Sequence, residues 1–273
     1  MKTLIFYYFK IRVTVQYYLN INEIKTMNIL TKYLPGITSK EKDNECIANI
    51  NIKFIEVTKK KDVLKVLRKS FNCIEIEFAL SSLNEFTILG LLKPAVDYIL
   101  SGKYSLYFLH SAGFWINDKA VLLWGTRAAG KTTIINYYKS NNYRIVNDER
   151  IGISSEDNYL LTSKWKKYLI PVNNLSLMLV PYIIPEGPLK IEPINEESFL
   201  HELFHEASIT VRCLGAYQGT SVLQSLDNQL ISKKRIKWCK DIVAQMKNNI
   251  YFIEGTVCDI FAWINNYFKE HKI

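Results

Sequence analysis

The sequence contains few cysteines and histidines, the residues that cross-link small secreted domains or hold metal ions in small metal-binding domains. Its 273 residues include five cysteines and four histidines. The cysteines are odd in number and none of them form a C-x-x-C pair, which argues against a disulfide framework and against a zinc knuckle. A reducing cytoplasm is therefore the expected compartment.

The chain also lacks internal repeats, low-complexity tracts and an uninterrupted apolar run of membrane-spanning length. The apolar, aromatic stretch 1–18 is broken by Lys10 and Arg12, and no small-residue cleavage site follows it. We therefore expect neither a signal peptide nor a membrane span. Because Met27 opens a more ordinary stretch, we interpret residues 1–26 as an over-extended start and assign no functional residue to them.

The composition is that of a folded globular protein. Residues of hydrophobic type make up 48% of the chain and charged residues 22%, which excludes a disordered chain. Thirty-five Lys and Arg against 26 Asp and Glu give a net charge of +9. This excess favours acidic partners, namely nucleotides, nucleic acids or an acidic peptide, without choosing among them.

The most informative stretch is the apolar run 121–124, which leads into the pattern G-x-x-x-x-G-K-T. Glycines at both ends let the backbone turn tightly, so that N–H groups and a helix N-terminus converge on an anion. Helix-like apolar spacing follows at 134–138. We predict a phosphate-binding loop made of Gly125, Thr126, Arg127, Ala128, Ala129, Gly130, Lys131, Thr132 and Thr133.

In such a loop Lys131 supplies positive charge for the β- and γ-phosphates and the Thr132 hydroxyl is a ligand for Mg²⁺. Two acidic residues, Asp148 and Glu149, end a predicted strand over 143–150. An acid in that position can hold Mg²⁺ or accept the proton of an attacking hydroxyl. Successive strand residues point to opposite faces, so we expect one of the two to face the phosphates.

Hydrophobic periodicity predicts an alternation of strands and helices along the rest of the chain. The predicted strands are 49–57, 73–78, 104–110, 175–183 and 250–253, with a β-hairpin formed by 113–116 and 119–124 directly before the loop. The predicted helices are 61–70, 83–100, a segment carrying Phe199 to Phe204, 233–246 and 258–269.

One ordered set of segments resembles the catalytic domain of the HPr serine kinase family. It consists of Leu109-His110-Ser111-Ala112-Gly113, the hairpin, the phosphate loop and Val146-Asn147-Asp148-Glu149. The resemblance implies an α/β fold related to phosphoenolpyruvate carboxykinase, a P-loop kinase domain with a mixed sheet and a β-hairpin before the loop. It assigns that domain to 49–273 and leaves 1–48 as an N-terminal extension of uncertain order.

The resemblance also implies an activity. ATP and Mg²⁺ would be the cofactors, with Thr132 and Asp148 as metal ligands and with His110, Asp148 and Glu149 as the catalytic residues. The chain lacks the E-[IV]-R-G-L-G segment that HPr kinase/phosphorylases carry after the acidic pair. This favours a specialised kinase that phosphorylates a serine of a peptide or protein, such as a gene-neighbour peptide, and neither nucleic acid nor a membrane is expected as a partner.

Two other functions remain open at this stage. The first is a regulatory protein that binds nucleotide through the same loop and transfers nothing. The second is a zinc peptidase, because His201-Glu202-Leu203-Phe204-His205 has the form H-E-x-x-H. No histidine follows at metzincin spacing, and apolar neighbours in the same segment are typical of an ordinary amphipathic helix whose solvent side carries the histidines.

Overall fold

The computed structural model describes residues 2–17, 23–33, 38, 46–55, 64–79, 87–126, 128–148, 150–155, 169–212 and 226–271. Within these residues the protein is an α/β protein with mixed sheets and six α-helices. The chain divides into two compact units, Met1–Lys103 with Ser208–Lys234 and Tyr104–Ala207 with Arg235–Ile273.

The first unit contains a five-stranded sheet. Its strands are β1 (Lys2–Tyr8), β2 (Ile11–Tyr17), β3 (Ala48–Ile55), β4 (Leu64–Lys69) and β5 (Cys73–Ala79), arranged in the order β1-β2-β3-β5-β4. The two N-terminal strands thus belong to the same sheet as β3, with which β2 pairs in parallel. Alternate residues such as Ile50, Ile52 and Phe54 are fully buried. Helices α1 (Glu23–Tyr33) and α2 (Thr87–Tyr104) follow β2 and β5 in the chain, and α2 continues through Pro94.

The prediction of a helix over 61–70 was wrong for the part that the structure describes. Residues 64–69 form β4, an edge strand that pairs antiparallel with β5. The apolar residues Leu64 and Leu67 have helical spacing, but a register shift between Val66 and Arg68 leaves Leu67 out of the pairing and 58% exposed. The bulge therefore produced an apolar spacing that imitates a helix.

The second unit contains the other two sheets. In chain order its strands are β6 (Leu106–Leu109), β7 (Ala112–Ile116), β8 (Lys119–Leu123), β9 (Arg144–Asn147), β10 (Ile151–Ser154), β11 (Leu169–Pro171), β12 (Leu175–Ile183), β13 (Lys190–Pro193) and β14 (Ile250–Gly255). The sheet orders are β11-β10-β6 and β13-β14-β12-β8-β7-β9. Helices α3 (Lys131–Ser140) and α6 (Val257–Glu270) lie wholly in this unit, and the larger parts of α4 (Glu196–Arg212) and α5 (Gln229–Gln245) also belong to it. No helix in the described part of the chain is long and apolar enough to cross a membrane.

In the second unit, helices cover both faces of the sheet at strand β8. It pairs in parallel with β12 and antiparallel with β7, as the predicted hairpin requires. Leu122 belongs to a core cluster that also takes in α4 and α5, whereas Val121 and Leu123 belong to a cluster formed with α3 and α6. Because both faces of β8 are covered, its sequence is a continuous apolar run rather than an alternating one.

The core cluster beneath α3 generates a stability prediction. Tyr138 is fully buried and stacks on Phe114 with ring centroids 3.7 Å apart. Its hydroxyl has no hydrogen-bond partner among the described residues, which costs free energy in a dry interior. We expect Tyr138→Phe to leave the free energy of unfolding unchanged or to raise it by about 1 kcal/mol. Tyr138→Ala, which also removes the stack, should lower it by about 3 kcal/mol or more.

Denaturant unfolding of the two variants beside the unmodified protein would measure both effects. A loss of about 2 kcal/mol in Tyr138→Phe would mean that the hydroxyl is satisfied after all.

Candidate functional site

The segment between β8 and α3 is a tight loop with three described residues in the left-handed region. The φ angles are 129° at Gly125, 67° at Ala128 and 91° at Gly130. The Trp124 N–H still bonds to the Leu179 carbonyl oxygen at 2.8 Å, so the sheet ladder extends to the start of the loop. Such a succession of turns directs backbone N–H groups to one side, where they can bind an anion. Arg127 lies outside the described residues.

Gly130 connects the loop to α3. A Cβ at this position would lie 2.1 Å from Cγ1 of Ile183, at the end of the neighbouring strand β12. Both the backbone angle and the close approach therefore require glycine. No side chain of the described residues caps the helix N-terminus, so its first N–H groups remain available for an anion.

The side chain of Lys131 folds back over the loop. Its Nζ donates to the carbonyl oxygens of Gly125 at 2.7 Å and Thr126 at 2.9 Å, and the residue is 7% exposed. Burial lowers the pKa of Lys131, and the nearby carboxylates of Glu206 and Asp148 oppose that shift. The result is a desolvated cation, which a phosphate group would complement.

A cavity of about 400 Å³ opens over this loop. It brings together most of the residues that the sequence singled out, including residues from three separate parts of the chain. The lining residues are His110, Ala128, Ala129, Gly130, Lys131, Thr132, Thr133 and Asp148. The Thr132 hydroxyl and the Asp148 carboxylate are oxygen donors of the kind that Mg²⁺ prefers, so these two could hold the metal.

Strand pairing explains how His110 and Asp148 reach the loop. In the β7–β8 hairpin, Ala112 pairs with Leu123, so the residues preceding β7 lie beside the residues that follow β8. On the other side of β7, Gly113 pairs with Asn147, which brings the end of β9 to the same edge. The Asn147 side chain accepts from the Asp148 N–H and donates to the Arg150 carbonyl, each at 2.9 Å. Asp148 thus begins a turn that Asn147 holds. Glu149 lies outside the described residues.

A further residue at the site, Glu206 on α4, was not indicated by any sequence motif. One carboxylate oxygen accepts a hydrogen bond from the His110 N–H at 2.5 Å, and the other accepts from the Trp124 indole N–H. Burial raises the pKa of Glu206, while the bonds from Trp124 and His110 oppose the rise. Helical spacing from Leu203 puts Glu206 on the apolar side of α4, beside the buried Ala207, but this spacing does not indicate which residues it contacts.

The H-E-x-x-H segment lies on the other side of the same helix. His201, Glu202 and His205 are exposed, whereas Leu203 is fully buried. Within the described ranges no group of three or more His, Cys, Asp or Glu side chains could hold a metal ion. The geometry is that of an amphipathic helix with its histidines toward solvent.

The interpretation of the site depends on its residues and their geometry, because two comparisons with known proteins found no match. No protein-family model matches the chain, and no curated protein is significantly similar to it.

The loop geometry predicts a large loss of stability at Gly130 and little change at the nearby Ala128. Gly130→Ala combines a left-handed φ with a clash against Ile183, so we expect it to lower the free energy of unfolding by about 2 to 4 kcal/mol. Ala128→Gly is the matched control, because Ala128 already has a φ of 67° and glycine accepts that angle without strain. Its effect should stay within about 1 kcal/mol.

Denaturant unfolding of both variants distinguishes the cases. Equal stability of Gly130→Ala and the unmodified protein would mean that the loop can move away from β12 at no cost.

Proposed function

We propose that the protein is a Mg-ATP-dependent kinase that transfers the γ-phosphoryl group to the hydroxyl group of a serine in a peptide or protein. The observation that carries the proposal is that Lys131, Thr132, Asp148 and His110 line the same cavity. A phosphate loop alone would support only nucleotide binding. An acid and an imidazole on the same cavity add groups that can handle the proton and orient the reacting atoms.

The fold of the second unit is part of the proposal. Relatives of phosphoenolpyruvate carboxykinase, among them the HPr serine kinases, are the class that the sequence resembles. Two features support this assignment here: the mixed six-stranded sheet and the antiparallel β7–β8 hairpin that leads directly into the loop. The absence of the E-[IV]-R-G-L-G segment favours a specialised acceptor over HPr.

In the proposed reaction the acceptor oxygen attacks the γ-phosphorus while the bond to the β,γ-bridging oxygen breaks, and ADP leaves. Lys131 would exchange the carbonyl oxygens of Gly125 and Thr126 for β- and γ-phosphate oxygens. Mg²⁺, held by Thr132 and Asp148, would neutralise phosphate charge. Asp148 and Glu149 would share the roles of metal ligand and of base for the hydroxyl proton, and His110 would orient the transferring group.

The decisive experiment offers the purified protein Mg-ATP together with serine-containing peptides encoded beside its gene. Mass spectrometry should find a peptide that gains one phosphate, with ADP formed in equal amount. Tight ATP binding with no transfer to any peptide would favour the nucleotide-binding regulatory protein instead. Peptide cleavage that depends on His201 and on zinc would favour the peptidase.

We predict that Lys131→Ala weakens ATP binding at least about tenfold, because the ammonium is the charge that complements the β- and γ-phosphates. Lys139→Ala is the matched control, since Lys139 is exposed in the last turn of the same helix. Calorimetric titration of both variants with Mg-ATP would measure the difference. Equal affinity in the two variants would remove the loop from the nucleotide site.

We also predict that Asp148→Asn abolishes transfer while the affinity for ATP stays within about tenfold, because the carboxylate acts on the metal or on the nucleophile. Asp118→Asn, in the exposed turn of the β7–β8 hairpin, is the control and should keep full activity. Rates are measured as phosphopeptide formed at saturating ATP. If Glu149→Gln abolishes transfer and Asp148→Asn does not, the two acids have exchanged roles.

A further inference from the structure

Glu206 joins two parts of the proposed site without lining its cavity. Its two carboxylate oxygens accept one hydrogen bond each, from the backbone N–H of His110 and from the indole N–H of Trp124. These donors follow the ends of β6 and β8, so one side chain on α4 ties together two strand ends from different sheets. Glu206 is absent from the residues that line the cavity, which means that it acts through the residues it holds.

Both hydrogen-bond partners of Glu206 belong to the proposed site or adjoin it in sequence. His110 lines the cavity, and Trp124 immediately precedes Gly125, the first glycine of the loop. The Trp124 ring is itself wedged against Phe199 of α4, edge to face, with centroids 5.3 Å apart. Helix α4 therefore contacts the start of the loop through a ring contact and a hydrogen bond to Trp124. It contacts His110 through a second hydrogen bond.

The choice of a carboxylate at this position follows from the donors. A glutamine could accept only one of the two N–H bonds, because its amide has one oxygen and would turn its NH₂ group toward the other donor. An apolar side chain could accept neither bond, and the Trp124 indole N–H, on a largely buried side chain, would lose its partner. The Glu206 charge also lies near the Lys131 ammonium, so the carboxylate contributes to the field at the loop.

We propose that Glu206 is a positioning residue of the phosphoryl-transfer site, which sets His110 against the phosphate loop by holding the His110 backbone and the Trp124 indole. This inference rests on the proposed kinase function. Glu206 belongs to neither the loop nor the acidic pair.

The kinetic test is Glu206→Gln. We expect kcat for phosphopeptide formation to fall about tenfold or more, because one donor is left facing an NH₂ group and His110 is displaced. The KM for ATP should change less than about threefold, since the loop and Lys131 remain. Glu202→Gln, on the exposed side of the same helix, is the matched control and should behave as the unmodified protein. A residue that only stabilises the fold would lower the unfolding temperature and leave kcat of the folded enzyme unchanged, which would overturn the proposal.

A double variant, in which the second substitution compensates the first, tests the hydrogen-bond geometry itself. In Trp124→Phe/Glu206→Gln the indole donor is gone, so the amide oxygen can accept from His110 and the NH₂ group faces no donor. We expect kcat of the double variant to return to within about threefold of Trp124→Phe alone. Additive losses would contradict the proposed arrangement. Should Glu206→Gln fail to fold, Glu206→Asp keeps both acceptors and the charge but is one methylene shorter, and an unchanged kcat there would overturn the proposal.

A readout that needs no turnover separates this inference from the kinase proposal. The chain has four histidines, so the His110 imidazole signal can be assigned in an NMR spectrum by its loss in His110→Ala. We expect that signal to shift in Glu206→Gln and to return toward its Trp124→Phe position in the double variant. Identical His110 signals in Glu206→Gln and the unmodified protein overturn the positioning role whatever the activity. Absence of transfer by the unmodified protein, with the shift present, overturns only the kinase function.

Discussion

The site depends on one constraint, the burial of β8 on both faces. Val121 and Leu123 pack toward α3 and α6, while Leu122 packs toward α4 and α5. A shift of one residue along the sheet would exchange these faces, so the two core clusters lock the register. The locked register sets where β8 ends, and with it the position of Gly125 at the edge of the sheet. The loop geometry is therefore a consequence of core packing.

The parts of the site that the sequence predicted are those with local signals. The apolar run, the two glycines and the following helical spacing all lie within twenty residues, and the structure has a strand, a loop and a helix there. The hairpin before the loop was predictable for the same reason, because its turn, Asn117-Asp118, sits between two apolar strands. The meeting of His110 and Asp148 on one cavity follows from that hairpin and its neighbour β9.

The parts that the sequence did not predict depend on distant residues. Strand β4 exists because β5 supplies hydrogen bonds, and its bulge leaves an apolar spacing that imitates a helix. The sequence predicts no strand in the region of β1 and β2, because their place in a sheet follows from the pairing of β2 with β3 more than thirty residues later. Glu206 contacts residues 96 and 82 positions earlier in the chain, and no local pattern encodes such contacts.

The charges around Lys131 connect the packing to the proposed chemistry. Burial disfavours the ammonium, and the two loop carbonyls that it contacts are neutral acceptors. Asp148 and Glu206 supply negative charge near the ammonium, but hydrogen bonds from His110 and Trp124 already occupy the oxygens of Glu206. The Lys131 ammonium is therefore poorly hydrated, and the nearby carboxylates compensate its charge only in part. A polyanion that enters the cavity would complement the remaining charge. Each phosphate oxygen that replaces a carbonyl at Lys131 would favour the protonated amine, so nucleotide binding and the charge of this lysine would reinforce each other.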